Sequence, residues 1–269
     1  MLYHRASLTS LLLSISLLGW SVCSAANDEA SAAARGLEIA TEQKRRDSGW
    51  GDSESQVLMV LRNAQGREST RRMRTLALEV QGDGDRALTV FDEPGDVRGS
   101  AFLTHTHTKV EDDQWLFLPS VRRTRRIATR NKSGPFMASE FAYEDMASFE
   151  LEKFDFRYLR SEELNGLQTY VVEQIPTDNF SGYSRVVAWV DQQHYRLQQV
   201  EYYDKRNSLL KTLSLHDYQL FLEQFWRPMK LSMLNHQTGK STDLIIETMR
   251  FRTGRTEADF DVSALERAR

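Results

Sequence analysis

The residues best equipped for chemistry in this chain are few, and their spacing argues against catalysis. His105 and His107 stand two apart, so on a strand both leave the same face and could share a metal. The competing reading is two half-exposed histidines among Thr104, Thr106 and Thr108, and the pattern favours it. Gly51-Asp52-Ser53 matches the start of a lipase-like motif, but a helical pattern precedes it and no supporting block follows. There is no G-x-S-x-G elbow, H-E-x-x-H pair, P-loop or G-x-G-x-x-G run. His194, His216 and His236 are scattered, and Glu111-Asp112-Asp113 reads as a solvated turn. Neither a cofactor nor a metal is expected, and an enzyme is the least favoured class.

The sharpest charge feature is Arg122-Arg123-Thr124-Arg125-Arg126, followed by Arg130 and Lys132. Such a cluster neutralises phosphates, but no stacking aromatics interleave it and the formal net charge of the whole chain is −3, so nucleic acid is not expected. Two readings stay open for Arg122, Arg123, Arg125 and Arg126. They contact lipid headgroups or an acidic partner surface, or they form a solvated edge strand whose charge discourages edge-to-edge association.

These residues must be carried by strands. Ala33, Leu37, Ile39 and Ala40 lie in a polar background from Ala30 to Arg46, which predicts one amphipathic helix ending near Gly49. After it the period changes to two. Val57, Met59 and Leu61 begin a series of runs, Arg67–Val80 and Arg86–Phe91 among them, joined by Gly-containing polar turns. The second half reads as six long strands: Leu167–Ile175, Tyr183–Asp191, Tyr195–Asp204, Leu209–Leu220, Arg227–Gln237 and Thr242–Phe251. Long strands on tight turns predict one large curved antiparallel sheet rather than a βαβ fold. Between the halves, Ser133-Gly134-Pro135 introduces an apolar segment with Phe136, Met137, Phe141, Tyr143 and Met146, read as a loop and a short helix lying on the sheet.

The N-terminus predicts export. Arg5 precedes an apolar run from Leu8 to Trp20, and Ser24, Ala25 and Ala26 follow, the order of a secretory leader cleaved near Ala26. The run is too short for a membrane span. A lipoprotein signal acylated at Cys23 is the weaker alternative, because Val22 is bulky where a small residue is wanted. Cys23 is the single cysteine, so residues 27–269, expected as one domain, must be held by packing rather than disulfides.

A curved sheet with two small helical covers encloses much apolar surface with few elements to fill it, and large open barrels hold ligands for that reason. Candidates for the cavity and its lid are Trp115, Phe117, Phe136, Met137, Phe141, Met146, Trp189, Met229, Leu231 and Met233, with plain core as the alternative for those on strands.

Several blocks carry a family likeness: Asp92-Glu93-Pro94-Gly95-Asp96-Val97-Arg98-Gly99, Asp113-Gln114-Trp115-Leu116-Phe117-Leu118-Pro119, and Lys132 through Asp145. With Trp226-Arg227-Pro228 and Asn235 through Thr242, they make the chain resemble the LolA-like outer membrane lipoprotein-sorting family from about Gly36 to Arg269. The resemblance implies a mainly β fold: an incomplete antiparallel β-barrel of the LolA/LolB type, an N-terminal helix and a short mid-chain helix covering a hydrophobic cavity. It implies a non-enzymatic periplasmic carrier of lipid or lipoprotein acyl chains between inner and outer membrane. Transient contact with a membrane surface follows. The branch it most resembles stands beside RND/MMPL-type inner-membrane exporters, the implied partner. A lipid-sensing regulatory adaptor is the alternative role.

Overall fold

The computed structural model describes residues 19–267; residues 1–18, which hold most of the expected leader, lie outside the described residues. A first helix, α1, spans Gly19–Arg46. The chain then lays down β1 (Asp52–Arg62), β2 (Glu68–Leu78), β3 (Arg86–Glu93), β4 (Ala101–His105), β5 (Asp113–Leu118) and β6 (Arg123–Arg126), each pairing antiparallel with the one before. A strap without regular strands follows, from residue 127 to 153. β7 (Phe154–Leu164), β8 (Leu167–Pro176), β9 (Tyr183–Asp191), β10 (Leu197–Asp204), β11 (Leu209–Phe221), β12 (Phe225–Asn235) and β13 (Ser241–Phe251) come next, before a short α2 (Ala264–Arg267). Among the described residues one 13-stranded antiparallel sheet results, running from β6 through β1 and β13 to β7. The chain winds outward from β1 to one edge, crosses by the strap to the other, and returns until β13 pairs with β1. The two edges, β6 and β7, do not pair, so the barrel is incomplete.

The turns explain the short connections. In each of three hairpins an Asn or Asp side chain accepts backbone N–H bonds two to four residues ahead, an arrangement that closes a turn without neighbouring strands. Asn63 holds Gln65 and Arg67, Asp204 holds Arg206 and Ser208, and Asn235 holds Gln237 and Thr238.

Strand alternation sorts the side chains into two faces. The concave face carries the main core, including Val57, Met59, Met73, Phe91, Phe102, Val186, Val200, Leu213, Met233 and Leu244. On the convex face, Leu88, Val90, Ala101, Leu103 and Phe117 pack under Phe260 and Leu265 of the C-terminal segment. A second convex cluster joins Val171, Val187 and Trp189. α1 covers the concave face at the β7 end, placing Ile39 and Ala40 against Phe156, Val172, Ala188 and Val190.

Two expectations need correction. β7 has no counterpart in the sequence reading, because a bulge between Tyr158 and Arg160 breaks its alternation, leaving Phe154, Phe156 and Tyr158 on one face and Leu159 on the other. The short mid-chain helix is realised as two isolated 3-10 turns, Phe136–Ala138 and Tyr143–Met146, rather than an α-helix. Met137 and Ala138 take positive φ (48° and 60°), which ends helical progress. Ser139 also diverts the backbone, donating to the Phe136 carbonyl at 2.7 Å and accepting the Phe141 N–H at 3.2 Å.

The fit of α1 depends on one glycine. A Cβ at Gly36 would lie 2.7 Å from the Tyr158 nitrogen and 2.8 Å from the Arg157 nitrogen, backbone atoms that have nowhere to go. Gly36→Ala is therefore expected to lift α1 from β7 despite alanine's better helix propensity. Chemical denaturation should show a loss of about 1–3 kcal/mol; an unchanged or raised stability would contradict the close approach.

Candidate functional site

The site is built around the strap, and the strap is held by a charge pair sealed inside the protein. Lys211 stands on the concave face of β11 at a position where neighbours are apolar. Its Nζ lies 2.5 Å from Asp145 Oδ2, and both side chains are only 4% exposed. The ammonium also donates to the Glu140 carbonyl at 3.0 Å. The rings of Tyr183 and Tyr202 lie with centroids 5.2 and 5.1 Å from it, within cation–π range. Asp145 in turn accepts the Ala142 N–H at 2.7 Å and the Tyr183 hydroxyl at 2.7 Å. Burial, and then the Asp145 charge, push the Tyr183 phenol well above its ordinary range, so it remains a donor. Taking two charges out of water is costly unless their remaining hydrogen-bonding capacity is met, and here it is.

Further bonds fasten the strap along its length. The Arg71 guanidinium donates to the Met137 carbonyl. Asn235 Nδ2 donates to Glu140 Oε2 at 2.7 Å, and the Glu140 N–H reaches Thr242 Oγ1 at 3.0 Å. Gln114 Nε2 donates to the Tyr143 carbonyl at 2.8 Å. Glu144 accepts from Ser181 Oγ and the Gly182 N–H, both at 2.8 Å, tying the strap to the β8–β9 loop; burial raises its pKa.

The strap divides the concave space in two. On the β3–β4 side it fills the barrel: Phe136 is fully buried, with ring centroids 5.0 Å from Phe102, 6.0 Å from Phe91 and 5.9 Å from Tyr143. On the β8–β12 side it leaves a cavity of about 680 Å³. The walls there are Val186, Ala188, Leu197, Val200, Leu213, Leu215 and Leu231, and Ile127 and Phe154 come from the ends of the strap. The mouth opens between the β4–β5 loop, which exposes Val110, and the β8–β9 loop, which exposes Phe180. Ion pairs flank it: Lys132 with Asp178, and Lys153 with Asp112.

The structure separates the expected cavity residues into four groups. Leu231 lines the cavity. Phe136, Met137, Phe141, Met146 and Met233 belong to the concave core beside it, packed as a plug instead of facing open space. Met229 is half-buried on β12, on the same side of the strand as Leu231. Trp115, Phe117 and Trp189 point away from the cavity, into the convex clusters. Each is out of phase with a cavity-facing neighbour, Gln114 for Trp115 and Ala188 for Trp189, so the strand's period of two carries it to the other face. The walls that sequence reasoning missed are aliphatic residues of β9–β11, which in sequence are indistinguishable from core.

Arg122, Arg123 and Arg125 are exposed at the β6 edge and have no carboxylate partner among the described residues, whereas Arg126 pairs with Asp113. The two suggestive histidines do not converge. His105 Nε2 contacts the Phe260 carbonyl at 2.7 Å, and His107 Nδ1 contacts Asp83 Oδ2 at 2.7 Å.

Behind the strap, Lys44 of α1 donates to the Phe149 carbonyl at 2.9 Å and to Glu150 at 3.0 Å. Asp85 stands nearby, its pKa pushed up to about 6, first by burial and then by the charges of Glu150 and Glu79, with Lys44 opposing.

Two outcomes follow. Lys211→Ala strands a buried carboxylate and should cost about 3–5 kcal/mol, while Lys211→Met with Asp145→Leu should recover most of that. Equal losses in the single and double variants, measured by urea unfolding, would show that the pair does not hold the strap. Because Asp85 has a raised folded pKa, its contribution to stability is full below about pH 4 and is lost as pH rises through about 6. Asp85→Asn should therefore raise the melting temperature above pH 6.5 and have little effect at pH 4; a pH-independent shift would contradict this assignment.

Comparison with known proteins places these features. A family model described only as an uncharacterized protein matches residues 83–267. A solved domain from Vibrio parahaemolyticus, assigned to outer membrane lipoprotein sorting, is 55% identical; the match covers 87% of this chain and 99% of that one, with a TM-score of 0.86. A DUF1329 family protein from Desulfovibrio piger is 26% identical over 87% of this chain and 99% of its own, with a TM-score of 0.82. A LolA superfamily protein from Nitrosomonas europaea, 22% identical over 85% of this chain and 98% of its own, shares the fold with a TM-score of 0.69. No protein of curated function matches. The open 13-stranded sheet, the strap across its concave face and these likenesses together show that the chain belongs to the LolA-like outer membrane lipoprotein-sorting family.

Proposed function

We propose that this protein is a periplasmic, non-enzymatic carrier of lipid or lipoprotein acyl chains between the inner and outer membranes. The observation that supports this most directly is the cavity: about 680 Å³, walled mainly by Val and Leu, with the polar groups of Glu144, Asp145, Tyr183 and Tyr202 gathered on its strap side and ion pairs flanking its mouth. That volume lies in the range of small-molecule sites, and an apolar lining with a few polar groups at one end suits an amphiphile. Covering a lipid chain is worth about 0.8 kcal/mol per methylene, so a chain of about 15 carbons bare in water costs on the order of 10 kcal/mol. Crossing an aqueous compartment therefore requires a covered site of this kind. The leader pattern supports a periplasmic location. No helix among the described residues is long and apolar enough to cross a membrane.

Loading and release need a membrane partner, and an RND/MMPL-type exporter fits the branch that the sequence resembles. The unpaired Arg122, Arg123 and Arg125 suit transient contact with anionic headgroups. Arg123 and Arg125 sit on the edge strand, with Arg122 in the turn just before it, and that strand leads through Ile127 and Thr129 into the cavity rim.

The reading is tested by filling the cavity. Leu215 is half-buried in its wall, so Leu215→Trp should occupy the space without creating a void. Uptake of a fluorescent acyl probe should fall by about tenfold or more, against a change within about threefold for Leu215→Ala. A Trp variant that keeps its far-ultraviolet circular dichroism and binds the probe as well as the parent would remove the carrier reading.

A further inference from the structure

Resting on the carrier reading, we infer that the cavity takes an acyl group by its carbonyl, which seats over Val186 and accepts hydrogen bonds from Tyr202 and Gln174. The registers of β8, β9 and β10 put Gln174, Val186 and Tyr202 opposite one another in a single row. All three line the cavity. At about 4.8 Å per strand, Gln174 and Tyr202 stand roughly 10 Å apart with Val186 between them. The adjoining row, Val172, Ala188, Val200 and Leu213, is entirely apolar. Two polar side chains therefore interrupt an aliphatic wall, close to the β8–β9 loop at the mouth.

Neither the Tyr202 hydroxyl nor the Gln174 amide has a hydrogen-bond partner among the described residues, and neither is sealed from the space beside it. Gln174 is only 8% exposed, so its amide meets little besides the cavity. A guest that fills the cavity displaces any water serving these groups. It must bring an acceptor of its own or leave two buried donors bare, which is costly.

The neighbours set the charge of that acceptor. Burial, and then the charges of Asp145 and Glu144, push the Tyr202 phenol well above its ordinary range, so it stays a donor. Asp145 is already paired with Lys211, and Glu144 is held by Ser181 and the Gly182 N–H. A free carboxylate brought here would add like charge beside Glu144 where water is scarce. A carbonyl adds none, and its two lone pairs suit two donors. It also stands where an acyl chain turns from polar to apolar, leaving the methylenes to Ala188, Val200, Leu213 and Leu231.

The test uses the purified mature protein, isothermal titration calorimetry and four probes of equal chain length. 1-Palmitoylglycerol carries an ester carbonyl, N-palmitoylserinol an amide carbonyl, 1-O-hexadecylglycerol an ether in place of either, and palmitate a carboxylate. Both carbonyl probes should bind on the order of fivefold or more tighter than the ether, since one hydrogen bond is worth about that factor. The tighter of the two identifies the linkage, and palmitate should bind more weakly than either. Tyr202→Phe removes one oxygen and keeps the ring against Lys211. That variant and Gln174→Leu should each weaken the carbonyl probes about fivefold and leave the ether unchanged. Equal binding of ester, amide and ether by the parent overturns the inference and leaves the carrier reading in place. So does a loss in the variants that is the same for ether and carbonyl probes, which would mark both side chains as wall packing. Palmitate binding as tightly as the ester overturns the neutral acceptor. If no probe binds, the carrier reading itself falls.

Discussion

The ion pair between Lys211 and Asp145 is the interaction on which the architecture of the site depends. A 13-stranded sheet with unpaired edges curves around more apolar surface than its own side chains can fill. The strap crosses that interior beside α1, and it has too little regular structure to hold itself there. Short 3-10 turns satisfy only part of their own backbone. What positions them is a charge on the strap meeting a charge on the sheet where water is excluded, with the Tyr183 hydroxyl, the Ala142 N–H and the Glu140 carbonyl taking up the remaining bonding capacity. A buried pair of this kind is weak evidence for net stability, since well-packed apolar residues could replace it. Its value here is positional: it admits one placement of the strap, and that placement decides which half of the barrel is plugged and which half stays open.

The same logic explains why the cavity is aliphatic and the plug aromatic. Phe136 sits among Phe91, Phe102 and Tyr143 at tilted and edge-on angles, a packing that leaves little room to move. The β9–β12 wall opposite is built mostly from Val and Leu, with Tyr183 and Tyr202 only at the end beside Lys211, and its aliphatic part makes no directional demand on a guest. Rigid closure on one side and permissive surface on the other suit a protein that must keep its shape while its contents come and go.

Much of the fold was legible in the sequence because a half-buried strand writes its geometry in a period of two. The hairpins around Asn63, Asp204 and Asn235 were marked by turn chemistry that acts within four residues. Six strands of the second half appear within a few residues of their expected ends. β7 was lost because its bulge shifts the phase midway, so a real strand reads as noise. The strap was recognised as the greasiest segment without regular strand character, but its 3-10 turns were not, since Ser139 and the positive φ of Met137 act through local bonds that composition does not reveal.

Sequence alone determined that this chain forms a curved antiparallel sheet with one covering helix, that it carries no recognisable catalytic motif, and that it resembles a carrier family. It could not say which apolar residues face the cavity. Trp115, Phe117 and Trp189 are as hydrophobic as any wall residue, yet each lies one step out of phase with it and packs on the convex side. Periodicity separates two faces but does not label them, because both faces of this sheet are covered somewhere, by α1 and the strap on one side and by the C-terminal segment on the other. The inside is defined only when distant parts of the chain, Lys211 on β11 and Asp145 on the strap, meet.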